Sequence, residues 1–313
     1  MYSFFIRRVL ATIPVLGMVA IFVFFMLRMT PGDPAAVLAG DNGTPQQIEE
    51  IRESLGLNEP IPIQLGIYLA DILRGDLGQS YFFKRDVTEL IGLRVEPTLA
   101  LASTTLILTI LVAVPLGVIA AFRRGTWLDR GVMGFSVLGF SIPIFVLGYI
   151  LMYVFAMELK MFPVQGYKSI FEGFGPFIHR LVLPSIALSV IYIALIARIT
   201  RASVLEVLGE DYIRTAYAKG LPRRVVLMKH ALRNAAIPIV TVIGIGVALL
   251  IGGVVVTESV FNIPGLGRLT VDAVLGRDYP TIQALILVFS FTYVFINLMV
   301  DLTYTLLDPR IRY

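Results

Sequence analysis

Six long apolar stretches constrain this chain more than any other feature of its sequence. A helix rises about 1.5 Å per residue, so about 20 apolar residues cross the roughly 30 Å hydrocarbon core of a bilayer. Only 15% of the residues are charged, against about 25% in an ordinary soluble domain. The chain is therefore predicted to be an all-α integral membrane protein with six transmembrane helices. The stretches cover residues 4–27, 98–122, 131–157, 181–197, 237–257 and 282–306.

The distribution of basic residues predicts the orientation of the chain. The first stretch lacks a small-residue cleavage site and is predicted to be a span rather than a signal peptide. Six spans place both termini on one side, and short cytoplasmic segments carry the excess of lysine and arginine. With the N-terminus inside, the cytoplasmic segments hold 15 of the 26 basic residues. Both termini are therefore predicted to be cytoplasmic, and the net charge of +4 reflects topology rather than a nucleic-acid partner.

The polar segments divide the chain into four predicted parts. The segment after span one is predicted to be a small helical subdomain, because residues 44–47, Thr-Pro-Gln-Gln, match a capping box with proline at the first helical position. Gly56 can end this helix, and a second helix is predicted over 63–73, before Gly75. The parts are the N-terminal end with span one (1–29), the external subdomain (30–97), the membrane core (98–306) and a short tail (307–313).

A polar and strongly basic segment, residues 203–236, separates spans four and five. Apolar side chains recur at spacings of three and four over its first half, which predicts a helix in which Glu210 can pair with Arg214 four residues later. Gly220 can adopt the left-handed conformation that closes a helix. A second helix is predicted over 224–236. The segment is therefore predicted to form a helix-turn-helix unit that docks on a cytoplasmic partner.

Small and polar residues inside the spans predict packing faces and a transport path. Asp301, near the end of span six, is interpreted as a structural residue rather than an ion site. Small residues recur at every fourth position of span five, at Gly244, Ala248 and Gly252. This spacing predicts a face on which another helix packs closely. Four prolines either line a channel or only kink their helices, namely Pro14, Pro115, Pro143 and Pro184. The candidates for a polar pathway are Tyr192, Thr241, Tyr293 and Asn297.

The sequence carries no signature of catalysis or nucleotide binding. It has no G-x-x-x-x-G-K-[ST] phosphate loop, so the chain is not expected to bind and hydrolyse ATP by itself. It has no cysteine, and its two histidines lie too far apart in sequence to suggest a metal site. We therefore expect no catalytic, cofactor or metal site, and the energy for transport would come from another polypeptide.

The docking segment resembles the EAA motif of binding-protein-dependent ABC importer permeases, which reads E-A-A, three residues, glycine, nine residues, then I-x-L-P. Aligned on Gly220, Ala216 matches the second alanine, whereas Arg214 replaces the glutamate. The fuller strings GEDYIRTAYAKG and KHALRNAAIPIVT are similar to the peptide and nickel branch. The resemblance extends along the whole chain through RMTPGDPAAVLAG, GDLGQS, SIPIFVLGYIL, FNIPGLGRL and DPRIRY.

The resemblance implies a type I ABC importer permease fold in the inner membrane of a bacterium. It points to the permease with a long first periplasmic segment, as in dipeptide, oligopeptide and glutathione importers. The implied partners are a second homologous permease, two cytoplasmic ATPase subunits that bind ATP and magnesium, and a periplasmic solute-binding protein. The implied function is ATP-driven passage of a substrate from the binding protein to the cytoplasm by alternating access.

The same resemblance assigns residues to these contacts. A coupling helix would rest in a groove of one ATPase, where the small Ala216 allows close approach and Gly220 a pivot. The turn-rich loop 258–279 is either a projecting loop that meets the binding protein or reaches towards its ligand site, or an ordinary re-entrant connector. The coupling residues are Glu206, Glu210, Asp211, Tyr212, Arg214, Ala216 and Gly220. The binding-protein contacts are Asn262, Pro264 and Gly265.

Two other function classes stay open at this stage. An ion-coupled secondary transporter would be indicated by paired broken helices in two halves of the chain and by charged residues at mid-membrane. Transport driven by a proton gradient without ATPase partners would decide for it. A membrane scaffold without transport activity is the third alternative. The sequence does not identify the substrate, because selectivity in this class lies largely in the separate binding protein.

Overall fold

The computed structural model describes residues 2–29, 34–39, 44–54 and 56–307, and most of them are helical. The helices before the membrane core are α1 (Tyr2–Met29), α2 (Pro34–Ala39), α3 (Pro45–Ser54) and α4 (Ile61–Arg74). The helices that follow are α5 (Val87–Phe122), α6 (Trp127–Ser141), α7 (Ile144–Leu151), α8 (Phe174–Leu208), α9 (Asp211–Ala218), α10 (Arg223–Val225), α11 (Leu232–Asn234), α12 (Ala236–Phe261), α13 (Leu266–Leu275) and α14 (Tyr279–Leu307). Two π-helical segments, Met152–Glu158 and Val226–Ala231, continue α7 and α10.

The structure confirms six candidate spans and corrects several of their bounds. Five single helices are long and apolar enough to cross a membrane, and a bent pair formed by Trp127–Ser141 and Ile144–Glu158 supplies the sixth. The second span begins at Val87 rather than at residue 98, because the charged first turns of α5 continue the same helix beyond its apolar part. Residues 87–97 therefore belong to the same helix as the second apolar stretch. The fourth span, Phe174–Leu208, likewise extends beyond 181–197 at both ends.

One of the four span prolines breaks its helix. Pro143 follows Ile142, and both have extended backbone angles between α6 and α7, whose axes differ by 103°. A residue that precedes proline is driven out of the helical region, which explains why α6 ends here. Pro14, Pro115 and Pro184 lie inside continuous helices. The sequence alone did not distinguish these cases.

The helix α8 lies at the centre of the membrane core. Its neighbours approach it at residues without a side chain: a Cβ atom at Gly117 of α5 would lie 2.6 Å from the Ala197 carbonyl oxygen, and one at Gly139 of α6 would lie 3.0 Å from the Cβ of Ala194. Helices associate in lipid where small residues allow such proximity. The buried apolar side chains of α8 therefore pack against α5, α6, α7 and α12.

The predicted packing face of α12 is correct at one end and wrong at the other. A Cβ at Gly244 would lie 2.5 Å from a methyl group of Val300 in α14, but one at Gly252 would meet nothing within 4 Å. Gly253 instead faces α8, where its Cβ would lie 2.7 Å from Leu188. A four-residue repeat drifts around a helix of 3.6 residues per turn, so the three positions do not share one contact.

The external helices follow the predicted capping pattern. The Thr44 backbone N–H donates to Gln47 Oε1 at 3.0 Å, and the Gln47 N–H donates to Thr44 Oγ1 at 3.3 Å. Gly56 and Gly75 follow α3 and α4 with positive φ, as predicted. Spacings of three and four residues also predict an apolar stripe of Ile48, Ile51 and Leu55 on this helix, and Leu55 lies outside the described residues. The helix α4 contacts α1, where the Arg28 guanidinium donates to Gln64 Oε1 and stacks over Phe24.

An ion pair connects the first and last spans. Arg8 of α1 donates through Nε to Asp301 Oδ2 of α14 at 2.6 Å. This contact agrees with a structural role for Asp301. Gly244, in the first half of α12, also contacts Val300 of α14, the residue before Asp301. The segment that contains α9 leads into α12. It therefore lies at the same end of the molecule as the beginning of α1 and the end of α14.

The contact at Gly117 gives a test of this packing. We expect Gly117→Ala to destabilise the protein by about 1–3 kcal/mol, because the new methyl group overlaps the Ala197 backbone and Thr200. Gly134→Ala in α6 is the matched control, since its methyl group would meet nothing within 4 Å. The measurement is the apparent melting temperature of the detergent-solubilised protein. Equal melting temperatures for the two variants would contradict the close α5–α8 contact.

Candidate functional site

The docking segment forms a compact unit at the end of α8. The helix α8 ends at Leu208, and α9 begins at Asp211 after Glu210, whose backbone is extended. The prediction of one helix through the first half of the segment is therefore wrong. Gly209, a poor helix former, precedes the break, and Asp211 then places a negative charge in the first turn of α9, which favours a new helix start.

The two faces of α9 have different surroundings. Ile213 and Ala216 are buried, with 1% and 7% exposure, against Val226 and Ala231 of the following helical segment. Ala216 therefore contacts its own chain, which corrects the expectation that its small side chain faces a partner. Tyr212 links the same elements, because its hydroxyl accepts a hydrogen bond from Asn234 Nδ2 at 2.8 Å. The other face of α9 is exposed and carries Asp211, Tyr212, Arg214, Thr215, Tyr217 and Ala218.

The turn after α9 has the predicted geometry. Gly220 has a φ of 79°. Its N–H donates to the Tyr217 carbonyl oxygen at 2.9 Å, and the Leu221 N–H donates to the Ala216 carbonyl oxygen at 3.3 Å. These bonds satisfy carbonyl groups at the end of the helix, as in a left-handed closing motif. The second predicted helix, 224–236, is present as α10, a π-helical segment and α11, and α12 follows after Ala235.

The predicted ion pair between Glu210 and Arg214 is replaced by a neighbouring one. Arg214 Nη1 lies 3.3 Å from Asp211 Oδ1, three residues before it, and both side chains are largely exposed. Glu210 precedes α9 with an extended backbone and is not in the same helix, so the four-residue spacing does not apply. The structure brings all seven predicted coupling residues to one end of the molecule, where Ala216 is buried and the other six are exposed.

At the opposite end, the loop after α12 folds back into the protein. The Glu258 carboxylate is fully buried and accepts hydrogen bonds from the Arg268 backbone N–H at 3.0 Å and from Thr98 Oγ1 at 2.6 Å. The Thr98 hydroxyl in turn accepts from the Leu266 N–H at 2.8 Å. These groups satisfy donors in the first turn of α13, which has no side-chain cap of its own. The loop is therefore folded against the protein and does not project from it.

This geometry separates the three predicted binding-protein contacts. Asn262 and Pro264 are exposed, but Gly265 is buried. A Cβ at Gly265 would lie 2.1 Å from Glu258 Oε1, so the glycine makes room for the carboxylate. Gly265 is therefore unavailable to a partner in this structure. Sequence reasoning missed Glu258, and the only available signal was a lone acidic residue at the end of an apolar stretch.

A second buried carboxylate secures the same end. Asp278 is fully buried and accepts hydrogen bonds from the Tyr81 backbone N–H at 2.9 Å and from Thr281 Oγ1 at 2.7 Å. It joins the loop before α5 to the start of α14. Burial, together with the nearby charge of Asp278, raises the pKa of the Tyr81 phenol to about 12, so this phenol is neutral at physiological pH. No pattern in the sequence indicates this contact between distant residues.

The four pathway candidates do not form one group. Tyr192 is 7% exposed and lies in the core between α8 and α12, beside Gly246 and Gly253. The Thr241 hydroxyl donates to the Ile237 carbonyl oxygen of its own helix at 2.8 Å. Tyr293 and Asn297 are exposed one turn apart on α14, and Asn297 Nδ2 donates to the Tyr293 carbonyl oxygen at 3.0 Å.

The described part of the chain holds no group of three or more histidine or acidic side chains arranged to bind a metal ion. Its distinctive features are the exposed unit around α9 at one end and the buried carboxylates at the other. Long apolar helices connect these ends.

Comparison with protein families identifies the chain. Residues 113–313 match the family model described as binding-protein-dependent transport system inner membrane component, and residues 1–102 match the N-terminal model of the same class of membrane components. The chain belongs to this family. It is the permease subunit of an ABC importer, and its family matches cover both the long helical core and the external helices.

Relatives of this permease match over almost its entire length. A probable peptide ABC transporter permease protein, y4tP, of Sinorhizobium fredii is 54% identical over 310 residues, which are 99% of each chain. The glutathione transport system permease protein GsiC of Pectobacterium atrosepticum is 44% identical over 313 residues, which are 100% of both chains. A putative peptide transport system permease protein of Brucella abortus is 42% identical over 313 residues, also 100% of both.

A solved structure supports the fold. The permease resembles a chain of the MetNI methionine ABC transporter, determined in inward facing conformations, with a TM-score of 0.58 and 19% sequence identity. The match covers 70% of this chain and 96% of the other. At this identity the similarity shows the fold alone, and it confirms the predicted type I importer permease architecture.

The cap on α13 gives a second test. We expect Glu258→Ala to lower the apparent melting temperature, because it leaves buried N–H groups of α13 unsatisfied at about 1–3 kcal/mol each. The control is Glu206→Ala, which removes an exposed glutamate from α8. Thr98→Val should weaken the same cap, since its hydroxyl bridges Glu258 and Leu266. A Glu258→Ala protein as stable as the control would argue against the cap.

Proposed function

We propose that this permease passes a peptide-like substrate from a periplasmic binding protein to the cytoplasm, driven by ATPase subunits that dock on α9. In this proposal two ATPase subunits bind ATP and magnesium, and a second homologous permease completes the membrane part. The observation that carries the proposal is the unit formed by α9, Gly220 and the helical segment after it. One face of α9 packs on its own chain and the other is exposed.

The packing of α9 supports a role in transmitting force. Ile213 and Ala216 anchor α9 to the segment that follows, and the hydrogen bond between Tyr212 and Asn234 adds a polar contact. A partner that pushes the exposed face therefore displaces the whole unit rather than one flexible loop. The unit is continuous with α8, the most buried of the five single membrane-crossing helices, and with α12, which is less buried than α8 and α5. Motion of packed helices relative to one another is the basis of alternating access.

The predicted topology agrees with the contacts between helices. The ion pair of Arg8 with Asp301 brings the two ends of the described chain together at the α9 end. The excess of basic residues in the segments at this end favours the cytoplasm. We therefore place both termini and α9 in the cytoplasm, and α2–α4 and α13 in the periplasm, of a bacterium with this protein in its inner membrane.

The substrate class rests on the relatives. Two relatives whose names specify peptide transport and one whose name specifies glutathione transport match along the whole chain. Glutathione is itself a small peptide, so a peptide-like substrate is common to all three. Asn262 and Pro264, which are exposed at the proposed periplasmic end, are the candidate contacts with the binding protein. Tyr293 and Asn297 are the pathway candidates that share an exposed face.

The ion-coupled alternative gains no support from the described residues. They contain one bent helix pair rather than the paired broken helices of two related halves. Their buried carboxylates at Glu258 and Asp129 lie near span ends and already have hydrogen-bond donors. No contact among the described residues favours a membrane scaffold without transport activity. The ATP-driven importer is therefore the function we propose.

Charge reversal on α9 tests the docking assignment. We expect Arg214→Glu to leave the amount of permease in the membrane unchanged but to reduce ATPase co-purification and ATP-driven uptake at least tenfold. Arg74→Glu on α4 is a matched control, because both arginines are 77% exposed and each pairs with an aspartate three residues before it. The measurement is uptake of a labelled dipeptide by proteoliposomes that contain the complete complex and the binding protein.

The outcomes separate the candidate functions. Normal uptake by the Arg214→Glu complex would contradict the docking role of α9. Uptake by permease alone under a proton gradient, without ATPase subunits, would establish the ion-coupled alternative instead. Loss of uptake in Arg74→Glu to the same extent would show that the effect of charge reversal is not specific to α9.

A further inference from the structure

A buried carboxylate connects three elements at the α9 end. Asp129 lies in the first turn of α6, with 4% exposure. It accepts hydrogen bonds from Nε and Nη2 of Arg201 in α8, the latter at 2.8 Å, and from the backbone N–H of Gly125 at 2.9 Å. Gly125 belongs to the turn that follows α5. One side chain therefore joins the end of α5, the start of α6 and the stem of α8.

The two-pronged contact fixes orientation as well as distance. An arginine that donates two parallel hydrogen bonds to a carboxylate holds the two groups in one plane, which a single lysine ammonium group cannot do. Arg201 is only partly exposed and Asp129 is almost completely buried, so the pair is little screened by water. A buried carboxylate that lost its arginine would be uncompensated, which is strongly unfavourable.

Contacts further along α6 keep it on α8. Gly139 lies against Ala194 and Val190 of α8, where its Cβ would be 3.0 Å and 3.3 Å from their side chains. Asp129 and Gly139 are ten residues apart, or about 15 Å along the helix. The helix α6 is therefore held to α8 at both of its ends.

The chain gains a second partner at the break that follows, because α7 packs on α12 as well as on α8. The helix α6 ends at Ser141, and α7 leaves at 103° after Pro143. Beyond the break, Gly148 lies against Phe261 and Val260 of α12, with Cβ distances of 3.1 Å and 3.3 Å. Residues 142 and 143 therefore join α6, which packs on α8 near the α9 end, to α7, which packs on both α8 and the opposite end of α12.

We infer that Asp129 and Arg201 are positioning residues that clamp α6 to the helix bearing α9, so that displacement of α9 reaches the break between α6 and α7. Arg201 lies about two turns before the end of α8, and α8 is one continuous helix. Any movement of α9 that tilts the end of α8 therefore moves α6 with it. The inference rests on the proposed docking role of α9 and adds the route by which its movement enters the membrane core.

The first experiment measures coupling in the complete reconstituted complex. Asp129→Asn and Arg201→Gln should each reduce dipeptide uptake per ATP hydrolysed at least tenfold, while basal ATP hydrolysis changes less than twofold. The double variant should be no worse than the worse single variant, because the pair acts as one unit. Arg201→Lys, which keeps the charge but loses the second donor, should give an intermediate loss.

The control is Arg130→Gln, which removes an exposed basic residue next to Asp129 in the same helix. It should retain the uptake per ATP of the unmodified complex. If the clamp variants lower only the amount of complex and leave uptake per ATP unchanged, the pair has a purely structural role and the inference is wrong. The inference also fails if the losses in the two single variants add in the double variant.

A second measurement leaves the clamp intact and applies even where a clamp variant does not fold. The chain has no cysteine, so spin labels can be attached at introduced cysteines without background. The exposed positions Arg130 in α6, Ala202 in α8 and Ile150 in α7 provide label sites. Between the nucleotide-free and ATP-trapped complexes, the distance from 130 to 202 should stay constant and the distance from 130 to 150 should change. A change of equal size in both distances would overturn the inference.

These outcomes can be separated from failure of the proposed function. If Arg214→Glu leaves uptake normal, the docking role of α9 fails and the clamp has no movement to transmit. If Arg214→Glu abolishes uptake while the Asp129 and Arg201 variants keep normal uptake per ATP, α9 docks as proposed and only the clamp is wrong.

Discussion

Close contact between α8 and its neighbours is the interaction on which the rest of this structure depends. In lipid, apolar side chains gain little by leaving the bilayer for another helix, so association relies on short-range packing. Gly117, Gly139 and Gly253 permit that packing because no side chain stands between the helices. The helix at the centre of the core also leads directly to α9. The exposed unit around α9 is therefore attached to the best-packed element of the protein.

Buried carboxylates then fix the two ends of this core. An ionised group away from water is tolerated only when it is paired or hydrogen-bonded. Asp129 finds its partners in Arg201 and the turn after α5, and Glu258 finds them in Thr98 and the first turn of α13. Each carboxylate thereby holds several chain segments together. The bent connection between α6 and α7 lies between the two fixed ends.

The candidate site was predictable where it depends on local backbone chemistry. Gly220 closes α9 with a positive φ because glycine has no Cβ to oppose that conformation. The surroundings of Ala216 were not predictable, since a small residue suits a partner's groove and an internal contact equally well. The partner of Arg214 was misassigned because the break at Gly209 changed which residues share a helix. Gly265 was misassigned because its neighbour Glu258 reaches it only through the folded loop.

The sequence by itself determined the class of the protein: the number of spans, the helix ends at capping and glycine positions, and the family. These properties depend on composition and on contacts between residues a few positions apart. Only the tertiary structure decided that Pro143 alone among four prolines breaks its span, which face of α12 meets α8, and that Asp129 and Glu258 are paired with residues far away in sequence. Those outcomes depend on which helices lie side by side, and a buried charge or an absent side chain acquires its role only from the neighbour that it meets.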